Sequence, residues 1–304
     1  GTPAANINAI DTQVTTLAAQ SAQGIYVLEA DGLTVQATGD IAVSQVNFNS
    51  TTPTRTDLSL SDLVTTNNGP IKLQSTTGNI TLNDGVVGSI HGNDGVSVSA
   101  NGSGDVLLQT LAANGDILVN ANISSGTGHI TLNAGDDIDQ NANVQTGGTG
   151  TVYLLASNGT SDAITGIDMQ SGTSITTAGG NVRLVADNEA DILLGLINAG
   201  SGNVSLVAER SILDNNGAAM NVQANALRMW ADAVVSNAAD TAGTIGMPSA
   251  GIQPDKNVKA IDTSVETLAA QSAEGIYVLE ENDVKIGTLT NVVEVQQINF
   301  NSTS

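Results

Sequence analysis

Cysteine is absent from the 304 residues of this sequence, and aromatic residues are almost as scarce. Without cysteine the chain has no disulfide cross-links, so packing and backbone hydrogen bonds must supply its stability. Aromatic residues make up 2% of the chain, although 40% of it is hydrophobic. The core must therefore be built from Val, Ile, Leu and Ala, and the surface offers few rings on which sugars could stack.

Basic residues are also few: 8 Lys and Arg stand against 30 Asp and Glu, which gives a net charge of −22. Such a chain cannot neutralise phosphates, which excludes a nucleic-acid partner, and an anionic membrane surface would repel it. It contains no apolar run of about 18 residues, so we expect no membrane insertion. No signal segment opens the chain, so we expect any export signal to lie outside it.

The most informative feature of the sequence is a duplication. The stretch AIDTQVTTLAAQSAQGIYVLE at 9–29 returns as AIDTSVETLAAQSAEGIYVLE at 260–280. A second shared phrase follows in both copies, VNFNSTT at 46–52 and INFNSTS at 298–304. Agreement over such lengths does not arise by chance, so we expect the two copies to share one conformation.

The offset between the copies defines a long tandem period. The two Ile-Asp-Thr triplets lie 251 residues apart, and the two Phe residues of the second phrase lie 252 apart. A period of this length is a whole module rather than one supersecondary unit. We therefore predict one complete module at residues 1–250 and the start of the next copy at residues 251–304, within a longer polypeptide of such modules.

A shorter repeat lies inside the module: a glycine and a polar residue, then two apolar residues separated by one other. Successive glycines lie 26, 24, 22, 30 and 22 residues apart, which is the spacing of solenoid coils. The two apolar side chains share one face of a strand, so we expect them inside and the middle side chain outside. The phrases begin at Gly78, Gly104, Gly128, Gly150, Gly180 and Gly202.

Two alternatives to parallel coils are open. Asn-Gly and Asp-Gly pairs between the strands would also suit hairpins in an antiparallel sandwich, but the period over six phrases favours coils stacked about 4.8 Å apart. Two Ala-rich segments, 10–22 and 220–239, could form amphipathic helices, although alternation at Leu227, Met229 and Ala231 favours strands. The predicted fold is all-β, a parallel β-helix or β-solenoid with coils of roughly 22–30 residues.

The repeated phrases resemble a known family. The Gly-Asn-Ile-Thr-Leu phrases, the string ITLNAGDDI at 130–138 and the sequence Ile-Gly-Met-Pro at 245–248 are similar to the haemagglutinin-type repeats of filamentous haemagglutinins and other giant bacterial surface proteins. The duplicated segment resembles the module joint of very long exoproteins in that group. The resemblance implies a right-handed parallel β-helix at the surface or outside of a bacterium, with an adhesive role. The two-partner secretion domain that usually begins such proteins is not visible, which leaves the export route open.

We therefore expect a non-catalytic structural or adhesive module of a long extracellular filament or surface fibre. Its expected partners are neighbouring copies of the module, head to tail, and another cell surface or the extracellular matrix. The alternative is a polysaccharide-degrading β-helix enzyme of the polygalacturonase or lyase type, with Asp136 and Asp137 in its site. That match fails because His91 precedes the pair rather than following it, and because the chain has no Arg-x-Lys element.

No cofactor is required by this interpretation, and calcium is the one ion that we consider. Asp136, Asp137 and Asp139 form the densest carboxylate cluster of the sequence. With backbone carbonyls they could bind calcium, at most weakly. In the simpler interpretation Asp136 and Asp137 lie at a solvated corner, and the acidic surface only keeps a long polymer soluble.

Overall fold

The computed structural model describes residues 8–158, 166–232, 243–247, 259–289 and 293–300. These residues form 31 β-strands and no helix, and every strand pair except one is parallel. In this part of the chain no helix is therefore long and apolar enough to cross a membrane. The predicted all-β parallel β-helix is confirmed.

The strands stack on three faces, and the chain visits the first, second and third face in turn. The first and third faces join into a 19-stranded sheet, and the second face is a separate sheet of 10 strands. The first face holds β1 (Ile10–Thr12), β4 (Ile25–Glu29), β9 (Ile71–Ser75), β12 (Val106–Thr110), β15 (Ile130–Ala134), β18 (Val152–Ala156), β21 (Val182–Ala186), β24 (Asn203–Ala208) and β31 (Lys285–Ile286). The second face holds β2 (Thr16–Leu17), β5 (Leu33–Val35), β10 (Ile80–Leu82), β13 (Ile117–Val119), β16 (Ile138–Gln140), β19 (Gly166–Met169), β22 (Asp191–Leu194), β25 (Ile212–Asp214), β27 (Thr244–Ile245) and β29 (Gly275–Ile276).

The remaining strands complete the third face and add one hairpin. The third face holds β3 (Ala19–Ser21), β8 (Leu63–Thr65), β11 (Val96–Ala100), β14 (Asn122–Ser125), β17 (Val144–Thr146), β20 (Ser174–Thr177), β23 (Leu196–Asn198) and β30 (Val278–Glu280). Two long strands, β26 (Val222–Ala231) and β28 (Ile261–Gln271), run from the third face into the first. The antiparallel hairpin is formed by β6 (Ile41–Ser44) and β7 (Thr54–Asp57).

The core is a set of aliphatic rows that run along the axis. Parallel pairing places each inward Val, Ile or Leu directly against its equivalent in the next coil, so that the rows stay in register. Each such buried side chain stabilises the fold by about 1.5–3 kcal/mol. One fully buried row on the first face consists of Leu73, Leu108, Leu132, Leu154, Leu184 and Leu206.

The glycines of the repeated phrases mark close contacts between coils. A Cβ added to Gly150 would lie 2.4 Å from the carbonyl oxygen of Gly128, and one added to Gly128 would lie 2.2 Å from that of Gly104. A Cβ added to Gly180 would lie 1.8 Å from the carbonyl oxygen of Gly150, and one added to Gly202 would lie 2.3 Å from that of Gly180. None of these five glycines has a positive φ. The repeat therefore reflects the spacing of the coils, which leaves no room for a side chain at this corner.

One of the six phrases lies on another face, so the 26 residues from Gly78 to Gly104 do not form one coil as the sequence predicted. Ile80 and Leu82 belong to β10 on the second face, whereas the other five phrases lie on the first face. At this level the first face is occupied by β9, where Gly69, Ile71 and Leu73 stand at the positions of the phrase and Pro70 replaces its polar residue. The coil between β9 and β12 is lengthened by an excursion, residues 83–95, and the coil before it, from β4 to β9, is lengthened by the β6–β7 hairpin.

Both Ala-rich segments are strands, as the sequence favoured. Residues 10–22 contain β1, β2 and β3, one on each face. In the second segment β26 buries Leu227 and Met229, so the alternation found there does mark a core-facing side. The rest of that segment, from residue 233 onwards, lies outside the described residues.

Candidate functional site

The duplicated segments make equivalent contacts. In the first copy β1 pairs with β4, with Thr12 opposite Glu29; in the second, β28 pairs with β30, with Thr263 opposite Glu280. Each threonine hydroxyl donates to the opposite carboxylate, at 2.5 Å and 2.7 Å. The N–H two residues after each threonine donates to the same carboxylate, at 3.1 Å and 3.0 Å. The same sequence thus builds the same local coil twice.

The two copies nevertheless lie on different faces of the β-helix. Ile10 belongs to the first face, whereas its counterpart Ile261 belongs to the third. From β1 the first-face ladder passes through eight full turns to the end of β26. The chain then crosses the second face at β27 and begins the second copy on the third face at β28. The second copy is therefore turned by one face relative to the first, an offset that the sequence did not predict.

β26 covers the edge of the second copy. It pairs with β28 in register, with Leu227 opposite Leu268. As a result Ile261 is fully buried, whereas its counterpart Ile10 in the first copy is 68% exposed. Within the described residues β1, β2 and β3 each pair with a strand on one side only. The edge that β26 covers in the second copy is thus covered by no described strand in the first.

The other end of the stack shows the reverse relation. In the described part of the chain β29, β30 and β31 pair on one side only. Their first-copy counterparts include β4 and β5, which β9 and β10 cover on that side. Ile286 is accordingly 71% exposed, whereas its counterpart Val35 is fully buried. At each end of the stack, the strands that pair on one side only therefore have counterparts in the other copy that are covered by a further strand.

The covered edge also buries a carboxyl group. Asp262 is 8% exposed, whereas its counterpart Asp11 is exposed. Burial, and then the charge of Asp214, raise the pKa of Asp262 to about 6. The amide of Asn221 lies between them, since it accepts from the Asp262 N–H at 2.9 Å and donates to Asp214 at 2.8 Å. The contribution of Asp262 to the stability of this edge therefore falls as pH rises from 3.8 towards 6.

Residues 293–300 of the second copy run along the outside of the first face. The Ile298 N–H donates to the Thr131 hydroxyl at 3.0 Å. Ile298 and Phe300 pack against Leu107 and are 2% and 6% exposed. Thr131, the middle residue of a repeated phrase, is therefore covered from outside, although the sequence predicted that it would face solvent.

The counterpart of this segment in the first copy has another conformation. Val46 and Phe48 lie in the turn of the β6–β7 hairpin and are 77% and 109% exposed. The expectation of one conformation for both copies is thus correct for the β1–β4 and β2–β5 pairings, which recur as β28–β30 and β28–β31. It is wrong for β3, whose counterparts Ala270 and Gln271 continue β28 on the first face, and for residues 46–48.

Phe300→Asp is expected to release residues 293–300 from the first face, because it would bury an unpaired charge. Amide hydrogen exchange at Ile298 should then become at least about tenfold faster. Phe48→Asp is the matched control, since it places the same charge at an exposed position in the other copy of the same phrase. Unchanged exchange at Ile298 in the Phe300→Asp protein would contradict this packing.

The carboxylates singled out from the sequence do not form a solvated corner. Asp136 and Asp137 are 2% and 4% exposed, and the Asp137 carboxylate accepts the Gly166 N–H of the next coil at 2.6 Å. Asp139 lies on β16, opposite Asp168 of β19. In the described part of the chain, one group of three acidic side chains has carboxylate oxygens that all lie within 4.8 Å of one another. Asp136, Asp137 and Asp139 do not belong to that group. Calcium binding at Asp136, Asp137 and Asp139 stays a prediction that this geometry does not support.

Comparison of the chain with protein-family models, with curated proteins and with solved structures finds no match. The resemblance to haemagglutinin-type repeats therefore rests on the sequence phrases alone, and it stays a prediction.

Proposed function

We propose that this chain is a non-catalytic structural module of a long extracellular bacterial filament, in which modules are joined head to tail. The proposal rests on the pairing of β26 with β28, which joins the first copy to the second over eight residue pairs. Because no described strand covers the equivalent edge of the first copy, a preceding module can cover it in the same register. The division into a module of residues 1–250 and the next copy from 251 is part of this proposal.

The offset between copies gives the filament a defined geometry. Eight turns and two faces, at roughly 4.8 Å per turn, give a rise of about 42 Å per module. Since each module is turned by one face, the β6–β7 hairpins of successive modules lie on three faces in rotation. Every third hairpin returns to the same face of the filament.

The hairpin supports an adhesive role as part of this proposal. Ile41, Val43, Val46 and Phe48 are all more than half exposed, which is unusual for apolar residues that lie so close together. Exposed apolar patches of this kind mark interaction surfaces. Rotation over three faces would present the patch in three directions around the filament to another cell surface or to the extracellular matrix.

A polysaccharide-degrading enzyme is the alternative, and the burial of Asp136 and Asp137 argues against it. The acid and the base of a glycoside hydrolase must both reach the sugar, and these side chains are closed off by neighbouring coils. Release of reducing sugar from acidic polysaccharides, abolished by Asp137→Ala, would favour the enzyme.

Chains of one, two and three complete modules, joined in native order, test the filament. Their maximum dimension in small-angle X-ray scattering should grow by about 42 Å per added module, as for one continuous rod. Leu268→Asp at each joint should abolish the rod, whereas Gln145→Asp adds the same charge at an exposed strand position and should leave it intact. Modules that move independently in the unmodified chain would contradict the proposal.

A further inference from the structure

Three aspartates that are distant in sequence meet beside the excursion of residues 83–95. The carboxylate oxygens of Asp62, Asp84 and Asp94 all lie within 4.8 Å of one another. Asp62 precedes β8, Asp84 follows β10 and Asp94 precedes β11, so two successive coils supply them. The cluster is separate from the joint between modules and from the carboxylates that the sequence singled out.

Asp62 is the buried member of this cluster, with 1% exposure. The Ser61 hydroxyl donates to its Oδ1 at 2.7 Å, while its Oδ2 is buried and has no hydrogen-bond partner. Its φ of +66° lies in the left-handed region, which is unfavourable for most side chains. A buried carboxylate oxygen of this kind destabilises the fold unless a donor or a cation satisfies it.

Backbone donors fix the other two carboxylates. Asp84 accepts the Asn93 N–H at 3.0 Å and the Gly95 N–H at 2.9 Å. Asp94 accepts the Val96 N–H at 2.9 Å. The two bonds to Asp84 join the two ends of the excursion to each other. Each carboxylate still has lone pairs available, since two oxygens together accept about four bonds.

The electrostatics of the cluster favour a positive ion. Burial raises the pKa of Asp62 to about 6; the Ser61 hydrogen bond acts in the opposite direction, and the charges of Asp94 and Asp84 raise the pKa further. The carboxylates therefore repel one another in the ionised state. A divalent cation would reverse this repulsion, because it would be the largest local charge.

We propose that Asp62, Asp84 and Asp94 bind a calcium ion. Ligands that are all oxygen select a hard cation, and Ca–O distances of about 2.3–2.6 Å let one ion bridge oxygens that lie this far apart. Magnesium fits less well, because it demands shorter bonds and near-ideal octahedral geometry, whereas backbone hydrogen bonds already fix two of these carboxylates. The ion would tie residues 83–95 to the preceding coil.

Isothermal titration of the complete chain with calcium chloride tests the site. After removal of divalent ions with EDTA, we expect one saturable site with a dissociation constant on the order of 10⁻⁴ M. Asp62→Asn should weaken binding at least tenfold. Asp139→Asn, in the cluster that the sequence favoured, removes the same charge and should leave binding unchanged.

Three results would overturn the proposal: no saturable binding at millimolar calcium, equal binding in the Asp62→Asn protein, or loss of binding in the Asp139→Asn protein instead. Asp94→Asn changes an exposed side chain, so it gives the same test without altering a buried position. As a second measurement, calcium should slow hydrogen exchange in residues 83–95 of the unmodified protein and not of the Asp94→Asn protein. Unchanged exchange in the unmodified protein would contradict the site.

Discussion

Gly150→Ala is expected to destabilise the β-helix by about 3 kcal/mol, a large effect for one added methyl group. The new Cβ would lie 2.4 Å from the carbonyl oxygen of Gly128 and 2.2 Å from the hydroxyl oxygen of Thr146. A hydroxyl can rotate away, but the backbone carbonyl cannot move without separating two coils that are hydrogen-bonded on both sides of this corner. Urea denaturation, followed by circular dichroism, would measure the loss.

Gly287→Ala is the matched control. A Cβ at Gly287 has no heavy atom within 4 Å, and its φ is not positive. The same substitution there should change the free energy of unfolding by less than about 0.5 kcal/mol. If Gly150→Ala were equally mild, the coils would not stack at this distance, and the row of glycines would need another explanation.

Val144→Asp should destabilise the protein by about 4 kcal/mol, because it buries an unpaired charge. Val144 is fully buried in β17, stacked between Ile123 and Ile175 of the neighbouring coils. Gln145, the next residue, is exposed. Gln145→Asp adds a negative charge to the same strand, so the difference between the two variants reports which side chain faces the core.

The midpoint of urea denaturation should therefore fall strongly for Val144→Asp and remain almost unchanged for Gln145→Asp. Equal midpoints would show that the inward and outward sides of the strand are wrongly assigned. Thr131 would not serve as the exposed control, although its place in the alternating pattern suggests it, because residues 293–300 cover it.

The coil architecture could be predicted because its signals are local and repeated. Ile130 and Leu132 alternate with Thr131, and the same pattern recurs with a glycine before it in successive coils. Parallel stacking then brings equivalent residues of successive coils together, so the same inward and outward pattern is found in each coil. The core positions of the five phrases on the first face follow directly from this pattern.

Features that depend on contacts between distant segments could not be predicted in this way. Nothing in the spacing of Asp62, Asp84 and Asp94 indicates that the excursion brings them together. Asp136 and Asp137 look like corner residues, and only the coil that closes over them makes them buried. The offset by one face is likewise hidden, because coils of unequal length prevent a count of turns from the number of residues.

The central claim of this account is that modules join as one continuous coil stack and turn by one face at each joint. Electron cryo-microscopy of native filaments would measure this most directly, through the rise per module and the face that carries the β6–β7 hairpin. We predict a rise of about 42 Å, with the hairpin moving to the next face at each module and returning after three. Modules related by translation alone, or native material that consists of separate single-module particles, would contradict it.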